Sequence, residues 1–235
     1  MTSFTVQPRG VFSLAEAGAF GHGAEPAGDW PGGGTLTEGV LRLAFCRDDL
    51  RGQVGVALRQ DEAGVHGVVS GLDPGEPVDP VREQVARMLS LDGEGEAFAE
   101  VGERDPLVGR IQAAAPGLRP LLFASPYEAA LWCVITQRWG RGQALRARER
   151  LSRGFGRVVE VAGVEIAAVP TPEQILAAPE LPGLPELKQE RLRAVARAAT
   201  EGLFEAAVIR EGEPSEVRER LRTVSGIGEF AAGLI

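Results

Sequence analysis

The stretch LRTVSGIGEFAAGLI (221–235) places two glycines, Gly226 and Gly228, on either side of Ile227. The segments before and after them are typical of helices, so the glycines predict a tight turn between two helices. Glycine permits positive φ and lets another backbone come close. The helix after Gly228 would present unpaired N–H groups, which suit an anion such as a phosphodiester. An ordinary helical turn is the alternative, because glycines also end helices.

The charge of the chain is unevenly distributed. The net charge is −8, and residues 1–104 contain 8 Lys and Arg against 17 Asp and Glu. Residues 161–235 contain 8 Lys and Arg against 12 Asp and Glu. Residues 105–160 contain 9 Lys and Arg against 4 Asp and Glu, so this segment is basic. The densest part, RWGRGQALRARERLSRGFGR (138–157), has seven Arg and one Glu. A local basic stripe can bind phosphate even in an acidic chain, and a solvated helix face is the alternative.

The first part of the chain, residues 1–104, predicts a small α+β domain with an antiparallel sheet. Three segments alternate as strands do and are separated by turn-like loops. A helix with apolar residues at helical spacing follows them. The strands are predicted over 35–47, 53–60 and 64–72, and the helix over 80–92.

The remainder, residues 105–235, predicts an all-α domain, with the boundary near residues 100–105. One helix is predicted within SPYEAALWCVITQRW (125–139), with Ser125 as N-cap and Glu128 as the capping-box acid. The others are predicted within 171–178, 184–204 and 215–224. Thr171, Pro172 and Gln174 repeat the capping device, and Ser215 is the N-cap of the last helix. In 184–204, Leu187, Leu192, Val195 and Ala199 form an apolar stripe, and Gly202 is the C-cap.

Membrane, secreted and metal-binding classes are not indicated. No run of ~18 apolar residues is present, and the N-terminus lacks the features of a secretion signal. Cys46 and Cys133 are far apart and are expected to be reduced thiols. We therefore expect a cytoplasmic protein, nucleoid-associated if bacterial.

Several segments, in order, resemble the DNA-3-methyladenine glycosylase II (AlkA-type) family of helix-hairpin-helix base-excision DNA glycosylases. The hairpin at 221–235 carries the resemblance first. AAAPGLRP (113–120), SPYEAALWCVITQRWGRGQA (125–144), VPTPEQILAA (169–178) and LKQERLRAVARAATEG (187–202) extend it. The resemblance implies a monomer that binds double-stranded DNA containing a damaged base, flips the base out and hydrolyses its N-glycosidic bond. Some hairpin glycosylases carry an iron–sulfur cluster, but the sheet domain favours the AlkA-type branch, which lacks one.

The resemblance implies a side chain that fills the gap left by the flipped base. This wedge follows the glutamine after the first helix, which places it at Arg138, after Gln137. An apolar wedge is usual, and arginine could instead stack on bases or contact a phosphate. Trp139 is a second candidate and could equally be a core aromatic. With Arg141 and the hairpin residues Gly226, Ile227 and Gly228, these residues form the expected DNA contact.

A base pocket and a cation site follow from the same resemblance. An alkylated purine is cationic and stacks well on aromatic faces. The pocket positions are Phe230 and Leu234, with Phe12 and Phe20 as further candidates unless they belong to the core. No other cofactor is expected, but the backbone carbonyls of Arg222, Val224 and Ile227 would hold a monovalent Na⁺ or K⁺ ion.

The family's catalytic aspartate follows the helix that begins at Glu229, and no residue of this sequence occupies that position. We therefore expect a truncated form of a longer protein. No lysine lies next to the hairpin, because Lys188, the only lysine, is on an earlier helix, so a monofunctional enzyme that uses water is expected. A non-catalytic DNA-binding module or fragment is the alternative, and a protein-interaction domain that does not bind DNA is a third.

Overall fold

The computed structural model describes residues 2–22 and 35–235, and a five-stranded antiparallel sheet is the first element they form. The strand order in the sheet is β1-β5-β4-β3-β2. The strands are β1 (Thr2–Val6), β2 (Thr35–Thr37), β3 (Val40–Cys46), β4 (Gln53–Asp61) and β5 (Gly64–Ser70). The antiparallel sheet is therefore confirmed, and the segment 35–47 is divided into two strands by a turn. Positive φ angles at Glu38 and Gly39 make that turn.

Strand β1 was not predicted from the sequence. It pairs with β5 at the sheet edge, with Phe4 opposite Gly67. Only Phe4 of this strand is buried, so the local pattern is weak. The Phe4 ring occupies the space that a Cβ at Gly67 would fill. The strand therefore depends on a partner some 60 residues away, which local periodicity does not reveal.

Eleven helices lie among the described residues. Two belong to the sheet region, where they cover one face of the sheet: α1 (Leu14–His22) and α2 (Asp79–Met88). The others are α3 (Gly95–Arg104), α4 (Pro106–Ala114), α5 (Pro126–Thr136), α6 (Arg141–Phe155), α7 (Pro172–Ala177), α8 (Glu186–Thr200), α9 (Ala206–Glu211), α10 (Pro214–Arg222) and α11 (Glu229–Leu234). In the described part of the chain, none of these helices has the length and apolarity needed to cross a membrane.

The second half also contains a hairpin that the sequence analysis missed, β6 (Val158–Val161) and β7 (Val164–Ala167). Val159, Val161 and Ile166 pack against Ala44 on the sheet face opposite to α1 and α2. Gly55 of β4 permits this approach, because a Cβ there would lie 2.3 Å from Val161 Cγ2. The sheet region and the helical region therefore share a core, and the boundary at residue 104 stays a prediction.

The helix-cap predictions were right at some helices and wrong at others. Thr171 and Gln174 form the complete capping box of α7. The N-cap of α10 is Glu213 rather than Ser215, because the Glu213 carboxylate accepts from Ser215 N at 2.8 Å. Leu187 is 54% exposed, whereas Leu192 and Val195 are fully buried in the helical core. The buried apolar stripe of α8 therefore includes Leu192 and Val195 but not Leu187, which was predicted to belong to it.

Glu128 does not act as a capping-box acid. Ser125 caps α5 by accepting from Glu128 N at 3.2 Å, but the Glu128 carboxylate points into the protein. Its Oε1 accepts from Cys46 N at the end of β3, at 2.9 Å, and its Oε2 lies 3.5 Å from the buried Arg148 guanidinium. Burial raises the Glu128 pKa to about 7, against the opposing effect of Arg148. One carboxylate thus joins the sheet to α5 and α6.

We predict that Glu128→Gln flattens the pH dependence of stability. The folded-state pKa is above the ordinary 4.5, so between pH 4.5 and about 7 the folded protein binds a proton that the unfolded chain has lost. The wild-type free energy of unfolding should therefore fall by about 2 kcal/mol as the pH rises from about 5 to about 8, beyond any fall in the variant. Urea unfolding at both pH values measures this. Glu149→Gln, which removes an exposed carboxylate from α6, is the control, and identical pH slopes for wild type and Glu128→Gln would contradict the prediction.

Candidate nucleic-acid interface

The turn between α10 and α11 is a tight hairpin held by two buried apolar side chains. Ile227 N donates to Val224 O at 2.9 Å, and both side chains are buried in the helical core. Gly226 has φ +96°, and a Cβ at this position would lie 2.9 Å from Arg191 Cδ. Gly228 is exposed, and a Cβ there would meet no protein atom within 4 Å. The first glycine is therefore required by the fold, whereas the second leaves an open surface.

The structure brings Gln137 directly against this hairpin. Gln137 follows α5, and its Nε2 donates to Gly226 O at 2.6 Å. Its Oε1 accepts from Arg191 NH1 of α8 at 2.5 Å. Two segments separated by almost ninety residues, both predicted to contact DNA, are therefore adjacent and directly bonded.

The loop between α5 and α6, residues 137–140, is called here the wedge loop. Arg138 lies exposed at its tip and has φ +56°, in the left-handed region that non-glycine residues seldom adopt. Trp139 is half-buried and packs against the helical core, and Lys188 Nζ lies 3.8 Å from the centre of its ring. Arg141 is exposed at the start of α6. Of the two wedge candidates, Arg138 is the one that projects into solvent.

The predicted pocket residues are not brought together. Phe230 is 82% exposed beside the hairpin. Leu234 lines a cavity of about 320 Å³ together with Phe123 and Pro126, and Phe230 is not part of its lining. Phe12 is buried in the core of the sheet, with the Arg119 guanidinium 5.7 Å from its ring centre. The side chain of Phe20 lies outside the described residues.

Charges at the hairpin are partly neutralised by an ion pair. Arg222 NH1 lies 2.9 Å from Glu229 Oε2, across the turn. Both side chains are more than half exposed, so solvent screening makes this pair weak. The Val224 carbonyl, one of three proposed cation ligands with those of Arg222 and Ile227, accepts the Ile227 N–H. The proposed cation site stays a prediction.

Sequence reasoning missed two residues of this site, Lys188 and Arg191 on α8. Lys188 is 7% exposed, and its Nζ donates to Ile135 O and, at 3.3 Å, to Val134 O. Burial, and secondly the charge of Arg191, lower the Lys188 pKa to about 8. The helix contains four cations in the span 188–197. Nothing in that pattern shows which two face the loop.

Comparisons with solved structures identify the fold. A 3-methyladenine DNA glycosylase from Archaeoglobus fulgidus superposes with a TM-score of 0.76 at 23% identity, over 100% of this chain and 77% of that one. An 8-oxoguanine glycosylase/lyase from Clostridium acetobutylicum, in its apo form, superposes with a TM-score of 0.65 at 15% identity, over 99% of this chain and 79% of that one. The same enzyme with double-stranded DNA containing cytosine opposite 8-oxoguanine matches equally well, over 99% and 77%. The chain has the helix-hairpin-helix DNA glycosylase fold.

Sequence comparison adds nothing to this identification. No family model matches the chain, and no curated protein matches it. Within the glycosylase fold, the five-stranded sheet and the helical region predicted from the sequence are both present. The hairpin and the wedge loop lie side by side in it through Gln137 and Gly226.

The two hairpin glycines should respond differently to alanine. Gly226→Ala places a Cβ at positive φ against the Arg191 stem, so we expect the free energy of unfolding to fall by about 2 kcal/mol. Gly228→Ala meets open space and should cost under about 1 kcal/mol, mainly through the poorer N-cap. Urea unfolding of both variants measures this. Equal losses would show that the hairpin does not have the described geometry.

Proposed function

We propose that this protein is a base-excision repair DNA glycosylase that flips out alkylated bases and hydrolyses their N-glycosidic bonds. The contact between Gln137 and Gly226 supports the proposal most strongly, because it joins the wedge loop to the hairpin in a glycosylase fold. The two enzymes compared above are DNA glycosylases, and one of them was solved with double-stranded DNA. A basic segment follows the loop, which suits a nucleic-acid phosphate backbone.

Each part of the interface has a distinct role in this proposal. The hairpin lies against the phosphate backbone, which positions the protein without reading sequence. Gly228 matters because the absence of a side chain lets that backbone come close. Arg138 enters the duplex and fills the space of the flipped base, where its planar guanidinium stacks on neighbouring bases. Arg141, at the start of α6, contributes a phosphate contact.

Preference for alkylated bases is the finer part of the proposal. An alkylated purine is electron-poor, so an aromatic ring next to the hairpin is the expected partner. Phe230, 82% exposed on α11, is the aromatic residue available there, and Leu234 lies one turn further along. The similar structures include both 3-methyladenine and 8-oxoguanine enzymes, so the lesion is proposed from these side chains alone.

A monofunctional mechanism is supported by the environment of the only lysine. A lyase forms a Schiff base through a free amine close to the flipped sugar. Lys188 Nζ instead donates to two backbone carbonyls and faces the Trp139 ring. The proposed cation at the carbonyls of Arg222, Val224 and Ile227 would have only neutral oxygen ligands, which suits a monovalent ion.

A DNA-binding module without base release is the second candidate. The observation that favours it is that Phe12 lies in the core of the sheet and Phe230 is 82% exposed, so the expected base-pocket residues do not enclose a base. Glu229, the carboxylate next to the second hairpin glycine, pairs with Arg222. The two candidates share the DNA interface and differ only in hydrolysis.

Base release and DNA binding should be measured on the same preparation. The glycosylase proposal predicts release of 3-methyladenine from methylated duplex DNA, detected by chromatography of the free base. The module candidate predicts salt-dependent duplex binding without release. A protein that neither binds duplex DNA nor releases the base would contradict both candidates. A protein-interaction role would then remain.

Gly228→Ala separates the DNA contact from stability. Because its Cβ would meet only a bound ligand, we expect duplex affinity to fall about tenfold while the fold is retained. Fluorescence anisotropy with labelled duplex measures the affinity. Gly233→Ala, which also adds a Cβ in open space but further along α11, is the control. Wild-type affinity in Gly228→Ala would contradict the proposed contact.

A further inference from the structure

Two cations on α8 face the wedge loop from inside the protein. Lys188 and Arg191 are one helical turn apart and both direct their charged groups toward residues 134–139. Neither lies at the exposed tip where Arg138 would meet DNA. Their contacts are made before any ligand binds, which distinguishes them from phosphate-binding arginines.

Lys188 holds the start of the loop. Its ammonium donates to the carbonyls of Val134 and Ile135 in the last turn of α5, where the helix dipole favours a cation. The same group lies 3.8 Å from the Trp139 ring centre. One buried charge thus fixes the residues on both sides of Arg138.

Arg191 holds the loop against the hairpin. Its guanidinium donates to Gln137 Oε1, which leaves the Gln137 amide nitrogen directed at Gly226 O. The aliphatic part of Arg191 packs against Gly226, in the space where another residue would place a Cβ. The orientation of one glutamine side chain therefore depends on this arginine.

The loop conformation needs such support. Arg138 adopts φ +56°, which is sparsely populated for residues other than glycine and persists where the surroundings determine it. Two backbone bonds join the loop to α5, from Gln137 N to Val134 O at 3.4 Å and from Trp139 N to Thr136 O at 3.0 Å, whereas on the other side Gly140 O accepts the first bonds of α6. The bond from Gln137 N is long, so the backbone alone holds the α5 side of the loop weakly.

We infer that Lys188 and Arg191 are positioning residues that hold the wedge loop against the hairpin in the free protein, so that Arg138 is already oriented for insertion into duplex DNA. This inference rests on the proposed function for its DNA part only. The order imposed on the free loop is a property of the protein itself. Preorganisation of this kind removes the cost of ordering the loop when DNA binds.

The test uses Lys188→Met and Arg191→Met, which keep the apolar stems and remove the charged groups. Arg197→Met is the matched control, because it removes a cation from the exposed face of the same helix. Hydrogen exchange on the DNA-free chain should be about tenfold faster at the loop amides in both variants, with the rest of α5 and α8 unchanged. Faster exchange spread over the whole helical region, or wild-type exchange in the loop, would overturn the inference.

The insertion of Arg138 into DNA is measured in a separate experiment. The probe is a duplex with 2-aminopurine beside a tetrahydrofuran abasic analogue, whose fluorescence reports a side chain inserted next to it. We expect the insertion signal at saturating protein to fall about fivefold in both variants, while affinity for undamaged duplex falls under about threefold. An unchanged insertion signal would overturn the positioning role. If the wild type does not bind duplex DNA at all, the proposed function fails, and the role of Lys188 and Arg191 in insertion fails with it. Hydrogen exchange on the DNA-free chain still decides whether these two side chains order the loop.

Discussion

The hydrogen bond from Gln137 to the Gly226 carbonyl is the interaction on which the proposed DNA interface of this protein depends. This bond joins the wedge loop, which follows α5, to the hairpin between α10 and α11. Both segments are expected to contact DNA. The bond requires a glycine at positive φ, since a Cβ there would meet Arg191. It also requires Arg191 to orient the glutamine amide. The geometry of the interface is thus set by three residues from three separate elements.

The five-stranded sheet is attached to the two helices that flank the wedge loop, α5 and α6. Glu128 at the start of α5 binds the end of β3 through Cys46 N, and its other oxygen faces Arg148 of α6. The helices on both sides of the wedge loop are therefore attached to one buried carboxylate. A buried ion pair contributes little net stability, but removal of one partner is costly. Its consequence here is to fix where α5 ends and α6 begins relative to the sheet.

The features predicted from the sequence are those with a local signal. The hairpin glycines, the alternating strands β3 to β5 and the Thr171 capping box are each encoded within a few residues. The features that were missed depend on distant partners: β1 on β5, the β6–β7 hairpin on Gly55, and the direction of the Glu128 carboxylate on Cys46. In the site, Gln137 and Gly226 were identified by resemblance. Lys188 and Arg191 were not, because other arginines share their helix and only tertiary packing shows which of these side chains face the loop.

In the proposed function the wedge loop and the hairpin engage duplex DNA together. The most direct measurement is a crystal structure of the chain bound to duplex DNA that contains a tetrahydrofuran abasic analogue. We expect the Arg138 guanidinium within the base stack at the abasic position, the hairpin backbone at Gly228 against a phosphate, and the Gln137 bond to Gly226 intact. A complex in which DNA lies elsewhere on the protein, or in which Arg138 stays outside the duplex while Gln137 has left Gly226, would contradict this expectation.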